Sequence, residues 1–366
     1  MKEIPFTSIK DIRVGQVENA QAGTGVTVMV APGGMAAGID VRGGGPASRD
    51  TRTLDPLAAA ERIHAIVLGG GSAYGLDAAG GVMRNLEERG IGLTVLPGLI
   101  VPLVCQSDIF DLGVGAADVR PTAEMGYAAC SAAFEGETGN YQDGNFGAGC
   151  GATVGKMAGP SLAMKSGIGS AAIEVGNLQV GALVVVNACG DIYDSRTGEK
   201  IAGARSPQSS CQLMYAALEA GQNAQEQAAL AAPHEAHKLA APGEGAGANT
   251  GADTAGTGTD AAGNPGMPTN TTIGIVVTNA SFTKAQLCKL AGMAHDGYAR
   301  AIRPVHTSMD GDSIYGVSVA REDAPAVEAS LDIVGSLAAD VMERAIRNAC
   351  YSAAPAFGLP SAQRNA

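Results

Sequence analysis

Short apolar runs rich in β-branched residues and bounded by glycine dominate the first third of the chain. Gly25–Val30 (GVTVMV) and Ala65–Leu68 (AIVL) predict strands, because such runs fit a pleated surface between turns. Leu183–Asn187 (LVVVN) predicts a buried strand that ends on a polar residue, and Ile273–Thr278 (IGIVVT) predicts another. Ser313–Val319 (SIYGVSV) alternates as a half-buried strand does. The period changes elsewhere. Leu76–Arg89 predicts a helix after the turn Gly69-Gly70-Gly71-Ser72. Thr283–Ala301 opens on a polar cap and carries Leu287, Leu290, Met293 and Ala294 at helical spacing. Pro325–Asn348 carries Val327, Leu331, Val334, Leu337, Val341 and Ile346, with its proline where a helix tolerates a missing N–H. Strands mixed with helices predict an α/β chain of stacked sheet and helix layers.

One segment has no pattern at all. Ala240–Met267 is built almost wholly of Ala, Gly, Thr, Asp, Asn, Glu and Pro, too little apolar surface to offset the entropy of ordering. It reads as a flexible linker. Without a turn signal it runs into Pro268-Thr269-Asn270-Thr271-Thr272 and then into a strongly apolar strand. A linker that enters a core in this way is explained if the chain is cut there and the new end is held inside. The expected organisation is one catalytic domain made of residues 1–239 and 271–366. Residues 240–270 are the linker, ending at a cleavage site between Asn270 and Thr271.

Composition narrows the classes. The chain has 366 residues, 52 of them glycine, with 4% aromatics and no tryptophan, so helices and sheet must meet through small side chains. A net charge of −12 makes the surface repel phosphate backbones and anionic membranes, which argues against nucleic-acid or membrane partners. The seven cysteines are odd in number and include no CxxC pair, against a disulfide framework or a cysteine-rich zinc site. The start, Met1-Lys2-Glu3-Ile4-Pro5-Phe6, lacks the apolar run of a signal peptide, and no stretch of about 18 apolar residues predicts a membrane span. The expectation is a soluble cytoplasmic protein that needs no cofactor and no metal.

Thr271 is the leading chemical candidate. A threonine hydroxyl needs a base to take its proton. An N-terminal threonine carries that base as its own α-amine, which titrates near ~8. Thr271 and Thr272 are otherwise ordinary β-branched strand residues. Position after a linker, taken with the order of landmarks given below, favours the chemical role. Lys156 lies in a glycine-rich run between apolar segments, an uncommon place for a surface lysine. Asn187 at a strand end is either a turn residue or an amide donor for a developing oxyanion. Asp310 and Asp312 flank Gly311 and form either a plain loop or a carboxylate pair able to bind a metal. The Gly69–Gly75 loop fails the dinucleotide spacing, since Tyr74 stands where a glycine is needed, and it fails the nucleophile-elbow spacing too. It reads as a tight turn lining a pocket.

The landmarks in order are Asp40-Val41-Arg42-Gly43-Gly44, Leu68–Leu76, Gly147-Ala148-Gly149, Gly151–Lys156, Val186-Asn187, Asn270-Thr271-Thr272 and His306–Asp312. In that order they resemble the P1 family of peptidases, which includes the L-aminopeptidase/D-esterase enzymes and the nylon-oligomer hydrolases. The resemblance covers nearly the whole chain apart from the linker. It implies an αββα sandwich similar to N-terminal-nucleophile hydrolases, with its own connectivity. It further implies autocatalytic processing into two chains that stay associated, commonly as a homo-oligomer of heterodimers. Lys156 would then lie near the nucleophile, Asn187 would serve the oxyanion, and Asp310 and Asp312 would orient the nucleophile and its amine without metal. His306 reads as structural. Cys150 stands where relatives often have threonine, and Phe110 where the nylon-oligomer hydrolases place a tyrosine. Asp108 is the available equivalent of the acidic residue that holds a substrate amine in aminopeptidase members. The implied function is hydrolysis of small peptides or short amide oligomers. The alternatives are an acyltransferase of the ornithine acetyltransferase type, which also self-cleaves before a threonine, and an inactive scaffold of the same fold. The landmarks Asp40–Gly44 and Leu68–Leu76 argue against the acyltransferase.

Overall fold

The computed structural model describes residues 1–157, 159–231, 270–320 and 327–363. The chain begins with strands β1 (Lys2–Ile4), β2 (Arg13–Asn19), β3 (Thr24–Val41), β4 (Ala47–Arg49) and β5 (Ile63–Gly69). Helix α1 (Ala78–Glu88), the hairpin β6 (Leu93–Leu96) and β7 (Leu99–Val101), strand β8 (Val104–Asp108) and helix α2 (Ala123–Ala133) follow. Next come β9 (Thr153–Val154), β10 (Met164–Lys165), β11 (Ile168–Val175), β12 (Leu178–Asn187), β13 (Asp191–Tyr193), β14 (Lys200–Ala202) and helix α3 (Ser210–Ala231). The last elements are β15 (Thr271–Thr278), α4 (Lys284–Ala301), β16 (Ile302–Arg303), β17 (Ser313–Ser318) and α5 (Leu331–Ser352). One compact unit comprises Met1–Cys211 with Pro268–Ala366, and a second comprises Gln212–Met267, of which the helical residues to Ala231 are described. The predicted linker Ala240–Met267 lies outside the described residues.

Ten strands form the main sheet in the order β1-β11-β12-β15-β17-β3-β5-β8-β4, with β2 paired to β3 off this path. β3 joins its two halves. Thr24–Val30 pairs with β2 and β5, whereas Ala36–Val41 pairs with β17, and the register shifts between Val30 and Met35. Strand alternation then sorts the apolar side chains into three buried clusters. Met29, Ile66 and Leu68 from one half meet Leu183, Ile273, Ile275 and Tyr315 from the other in a core between the two halves. Val184, Val186 and Val276 face the opposite way and pack under α4 and α5 with Leu287, Leu290, Val341 and Met342. Val26, Val28, Val30 and Val67 pack under α1 and α2 with Val82, Leu86 and Cys130. Helix, sheet, sheet and helix therefore stack in the expected αββα order.

The predicted strands lie within longer ones: Gly25–Val30 in β3, Ala65–Leu68 in β5, Leu183–Asn187 in β12 and Ile273–Thr278 in β15. All eight residues of β15 are buried, which is why its interior, Ile273–Val277, is continuously apolar rather than alternating. Each fully buried Ile or Val there stabilises by roughly 1.5–3 kcal/mol. Thr283 caps α4 in a capping box with Gln286, as the polar opening implied. Two helix boundaries differ from expectation. The helix expected over Leu76–Arg89 begins as a 3-10 turn, Ser72–Asp77, and becomes α-helical at Ala78. Gln106 sets that junction, accepting from Ala79 N–H at 2.8 Å and donating to the Gly75 carbonyl at 2.8 Å. The helix expected over Pro325–Asn348 starts at Leu331 and runs to Ser352. Val327 forms a bridge with Ala280, and its carbonyl accepts the Ser281 N–H, so that backbone is extended and cannot join the helix. Pro325 lies outside the described residues. No helix of the described residues is long and apolar enough to cross a membrane.

Candidate active site

Strand ends from both halves of the chain converge at one edge of the core. Asn187, the last residue of β12, pairs with Thr271, the first of β15. Asn270 bridges Asp310 just before β17, the parallel neighbour of β15. Thr271 is 4% exposed and Asn270 1%. The Thr271 hydroxyl donates to the Asn270 carbonyl oxygen. The Gly311 backbone N–H donates to the same oxygen at 3.0 Å. Two donors thus meet on the carbonyl of the Asn270–Thr271 bond, in a place closed to bulk water. Residue 311 must be glycine there: a Cβ would stand 2.8 Å from the Thr271 hydroxyl oxygen and 3.0 Å from its methyl.

Lys156 reaches this point from the loop after β9. Its ammonium donates to the Asn187 side-chain oxygen at 2.7 Å and to the Asn187 backbone carbonyl at 3.1 Å. The Thr153 N–H also donates to that side-chain oxygen, at 3.1 Å. These donors fix the amide's orientation. The Asn187 side-chain nitrogen then points the other way and donates to the Phe110 carbonyl at 3.0 Å. Burial pushes the Lys156 ammonium down to about 7, against the attraction of Cys189, Asp310 and Asp111.

The two aspartates do different work. Asp312 accepts the Thr272 N–H at 2.7 Å on one oxygen, and on the other the His306 ring nitrogen at 2.9 Å and the His306 N–H at 3.2 Å. Asp310 accepts the Thr307 N–H at 2.7 Å and keeps its second oxygen buried without a hydrogen-bond partner. Burial, then repulsion from Asp312, raises the Asp310 carboxyl above the usual range. The loop after β3 braces both residues through its backbone. Arg42 and Gly43 N–H donate to the Asp312 carbonyl and Gly45 N–H to the Asp310 carbonyl. A Cβ on Gly43 would fall 2.1 Å from that Asp310 carbonyl, which accounts for the glycines of the Asp40–Gly44 motif. Among the described residues no group of three or more His, Cys, Asp or Glu could hold a metal ion.

Asp108 and Asp111 form a second buried acidic pair. Asp108 accepts from the Gln106 side chain at 2.7 Å and Asp111 from the Gly71 N–H at 2.7 Å, each with its other oxygen unpartnered. Burial raises both carboxyls. The Gly69–Gly75 turn packs directly on them, so it encloses these carboxylates as well as shaping the site. Cys150 is buried, and burial pushes its thiol up to about 11. One contributor has no sequence signal. Lys165 is fully buried, donating to the Gly149, Ala152 and Ser166 carbonyls, and so holds the loop that leads to Thr153 and Lys156. Nothing in a two-residue strand distinguishes such a lysine from a solvated one. The Gly311 N–H has no sequence signal for a simpler reason, since backbone donors carry no side-chain signature.

Comparison with known proteins gives this geometry its setting. The model of peptidase family S58 matches residues 5–363. An uncharacterized aminopeptidase of Mycobacterium tuberculosis is 36% identical over 375 residues, covering 97% of this chain and 96% of that protein. A 6-aminohexanoate-oligomer endohydrolase of Paenarthrobacter ureafaciens is 28% identical over 346 residues, covering 92% and 83%. Among solved structures, the L-aminopeptidase D-Ala-esterase/amidase of Ochrobactrum anthropi, described as a variant of the Ntn hydrolase fold, superposes with a TM-score of 0.62 at 17% identity, covering 98% of this chain and 90% of that one. A Burkholderia sp. beta-aminopeptidase gives 0.60 at 18% identity, covering 98% and 89%. These two likenesses concern the fold. With the family's model spanning nearly every residue, the chain belongs to peptidase family S58 and is a hydrolase of peptide or related amide bonds.

Proposed function

We propose that the protein cuts its own Asn270–Thr271 bond and then uses Thr271 as an N-terminal nucleophile to hydrolyse small peptides or short amide oligomers. The observation that carries this reading is the pair of donors, Thr271 hydroxyl and Gly311 N–H, on the Asn270 carbonyl oxygen. In the first step the Thr271 hydroxyl oxygen attacks the Asn270 carbonyl carbon. The carbon–nitrogen bond breaks, the nitrogen takes the proton, and an ester links the two segments. Water then cleaves the ester, leaving the Asn270 carboxylate and restoring the hydroxyl. The freed α-amine, titrating near ~8, serves as base for substrate, whose acyl group passes to the hydroxyl and on to water. The Gly311 N–H meets the charge that develops on the carbonyl oxygen. Lys156 and Asn187 hold the electrostatics beside Thr271, and Asp310 and Asp312 hold its strand. Residues 1–270 and 271–366 would remain one catalytic domain, assembled as a homo-oligomer of heterodimers. The substrate class is supported by the names of the relatives, aminopeptidase and 6-aminohexanoate-oligomer endohydrolase.

Intact-mass analysis of denatured purified protein is expected to give residues 1–270 and 271–366, the shorter chain beginning Thr-Thr-Ile on Edman sequencing. An uncut protein with full activity overturns the reading. Gly311→Ala tests the carrying observation. Its methyl would collide with the Thr271 side chain and displace either the nucleophile or the N–H donor. Loss of one such donor slows chemistry by about 10²–10³-fold. A Gly311→Ala protein that cuts at the native rate would remove this N–H from the mechanism.

A further inference from the structure

We infer that His306 is a positioning residue which, by donating to Asp312, fixes the backbone of the nucleophile strand. The inference rests on the reading of Thr271 as nucleophile. Asp312 is the link. One of its oxygens receives the Thr272 N–H, the first backbone donor after Thr271, at 2.7 Å. The other receives both the ring Nδ1 of His306, at 2.9 Å, and its backbone N–H, at 3.2 Å. The carboxylate is thus stretched between the β15 strand and a single residue.

The backbone of His306 is shaped for this. Its φ is +58°, a left-handed conformation uncommon outside glycine that Asn, Asp and His adopt more readily than other side chains. In that conformation the ring and the backbone N–H both reach the same Asp312 oxygen. Packing then holds the imidazole. Tyr298 stacks on it with ring centroids 6.0 Å apart, and His295 meets its edge at 4.8 Å. His295 is anchored in turn by the Asp40 carbonyl at 3.1 Å, which ties the Asp40–Gly44 motif to the same network. His306 makes no hydrogen bond to Thr271, Lys156 or Asn187, so it acts through Asp312 alone.

Three substitutions separate this role from backbone shape. His306→Asn keeps an N–H donor near the Nδ1 position and tolerates positive φ. His306→Gly tolerates positive φ and keeps the backbone N–H but has no side-chain donor. His306→Asp has the shape of Asn but offers a carboxylate oxygen where the donor was. The readouts are the rate of chain cutting by intact mass, and kcat and KM on a chromogenic amide, in variants that match wild type in size-exclusion profile. His306→Asn is expected within about threefold of wild type, and His306→Gly and His306→Asp about 10- to 100-fold slower in cutting and kcat, the effect of one hydrogen bond to a charged group. KM should stay unchanged, because no substrate contact is lost. Native rates in His306→Gly or His306→Asp overturn the proposal, as does a His306→Asn protein as slow as the other two. If His306→Gly does not fold, the Asn and Asp pair decides alone. Thr271→Ala, run in parallel, keeps the outcomes apart: a Thr271→Ala protein that still cuts refutes the nucleophile, not the role of His306.

Discussion

Thr271→Ala is expected to yield a single uncut chain of 366 residues with no measurable amide hydrolysis, and Thr271→Ser a cut and active protein. Serine keeps the hydroxyl and, after cutting, the α-amine; alanine has no hydroxyl to attack, so its nitrogen stays in the peptide bond. The change should not unfold the protein. The Asn270 carbonyl retains the Gly311 N–H at 3.0 Å, and the backbone of residue 271 keeps its pairing with Asn187. Methyl and hydroxyl loss at one strand end costs no more than a typical substitution, about 1 kcal/mol. Thermal melts of Thr271→Ala and Thr271→Ser should therefore both be cooperative, and denaturing gels should differ. Two bands from a homogeneous Thr271→Ala preparation would place the cutting chemistry elsewhere.

Lys156→Met is expected to reduce cutting and turnover by about 10²-fold or more, since it removes a buried charge from beside the nucleophile's cross-strand partner. It has a second consequence with a definite sign. Burial holds the folded-state value of Lys156 at about 7, below the ordinary 10.5. Between those values the unfolded chain binds more protons at this residue than the folded one. The penalty for burying the cation is fully present below about 7 and disappears as pH rises towards 10.5. Wild type should therefore gain stability relative to Lys156→Met by up to about 1.4 kcal/mol per pH unit across this window. Denaturant unfolding of Thr271→Ala and of the Thr271→Ala, Lys156→Met double variant, both single chains, measures the gap directly. A gap that does not change with pH would show that Lys156 is charged in the folded protein throughout.

Much of this architecture was legible because the core strands are buried on both faces. Runs such as LVVVN and IGIVVT can hardly be anything else, and the Thr283 cap with Gln286 marks a helix start in the same direct way. Thr271, Asn187, Lys156, Asp310 and Asp312 stood out by residue type and order, and the fold links them as neighbours: Asn187 pairs with Thr271, Lys156 donates to Asn187, Asp312 accepts the Thr272 N–H and Asp310 bridges Asn270. What stayed hidden depends on partners distant in sequence. The start of α5 is decided by Val327 bridging Ala280, and the start of α1 by Gln106. β3 reads as one short strand, yet its 18 residues serve two halves of the sheet. The acidic character of Asp108 and Asp111 was visible, but their enclosure by the Gly69–Gly75 turn was not.

The strand order β12-β15-β17-β3 threads two strands from beyond residue 270 between two from before it. A cut at Thr271 leaves the shorter chain woven into the centre of the sheet, with β12 on one flank and β3 on the other. Removing it means breaking both ladders at once. Putting it back is a different reaction from the original folding. The uncut chain folds as one molecule, whereas two separated chains must meet, at a rate that falls with dilution. If the chain is cut as proposed, the peptide bond before Thr271 is a tether that serves assembly first and is then given up. The mature protein would be held in place by the history of its folding, and once taken apart in dilute solution it would have no fast route home.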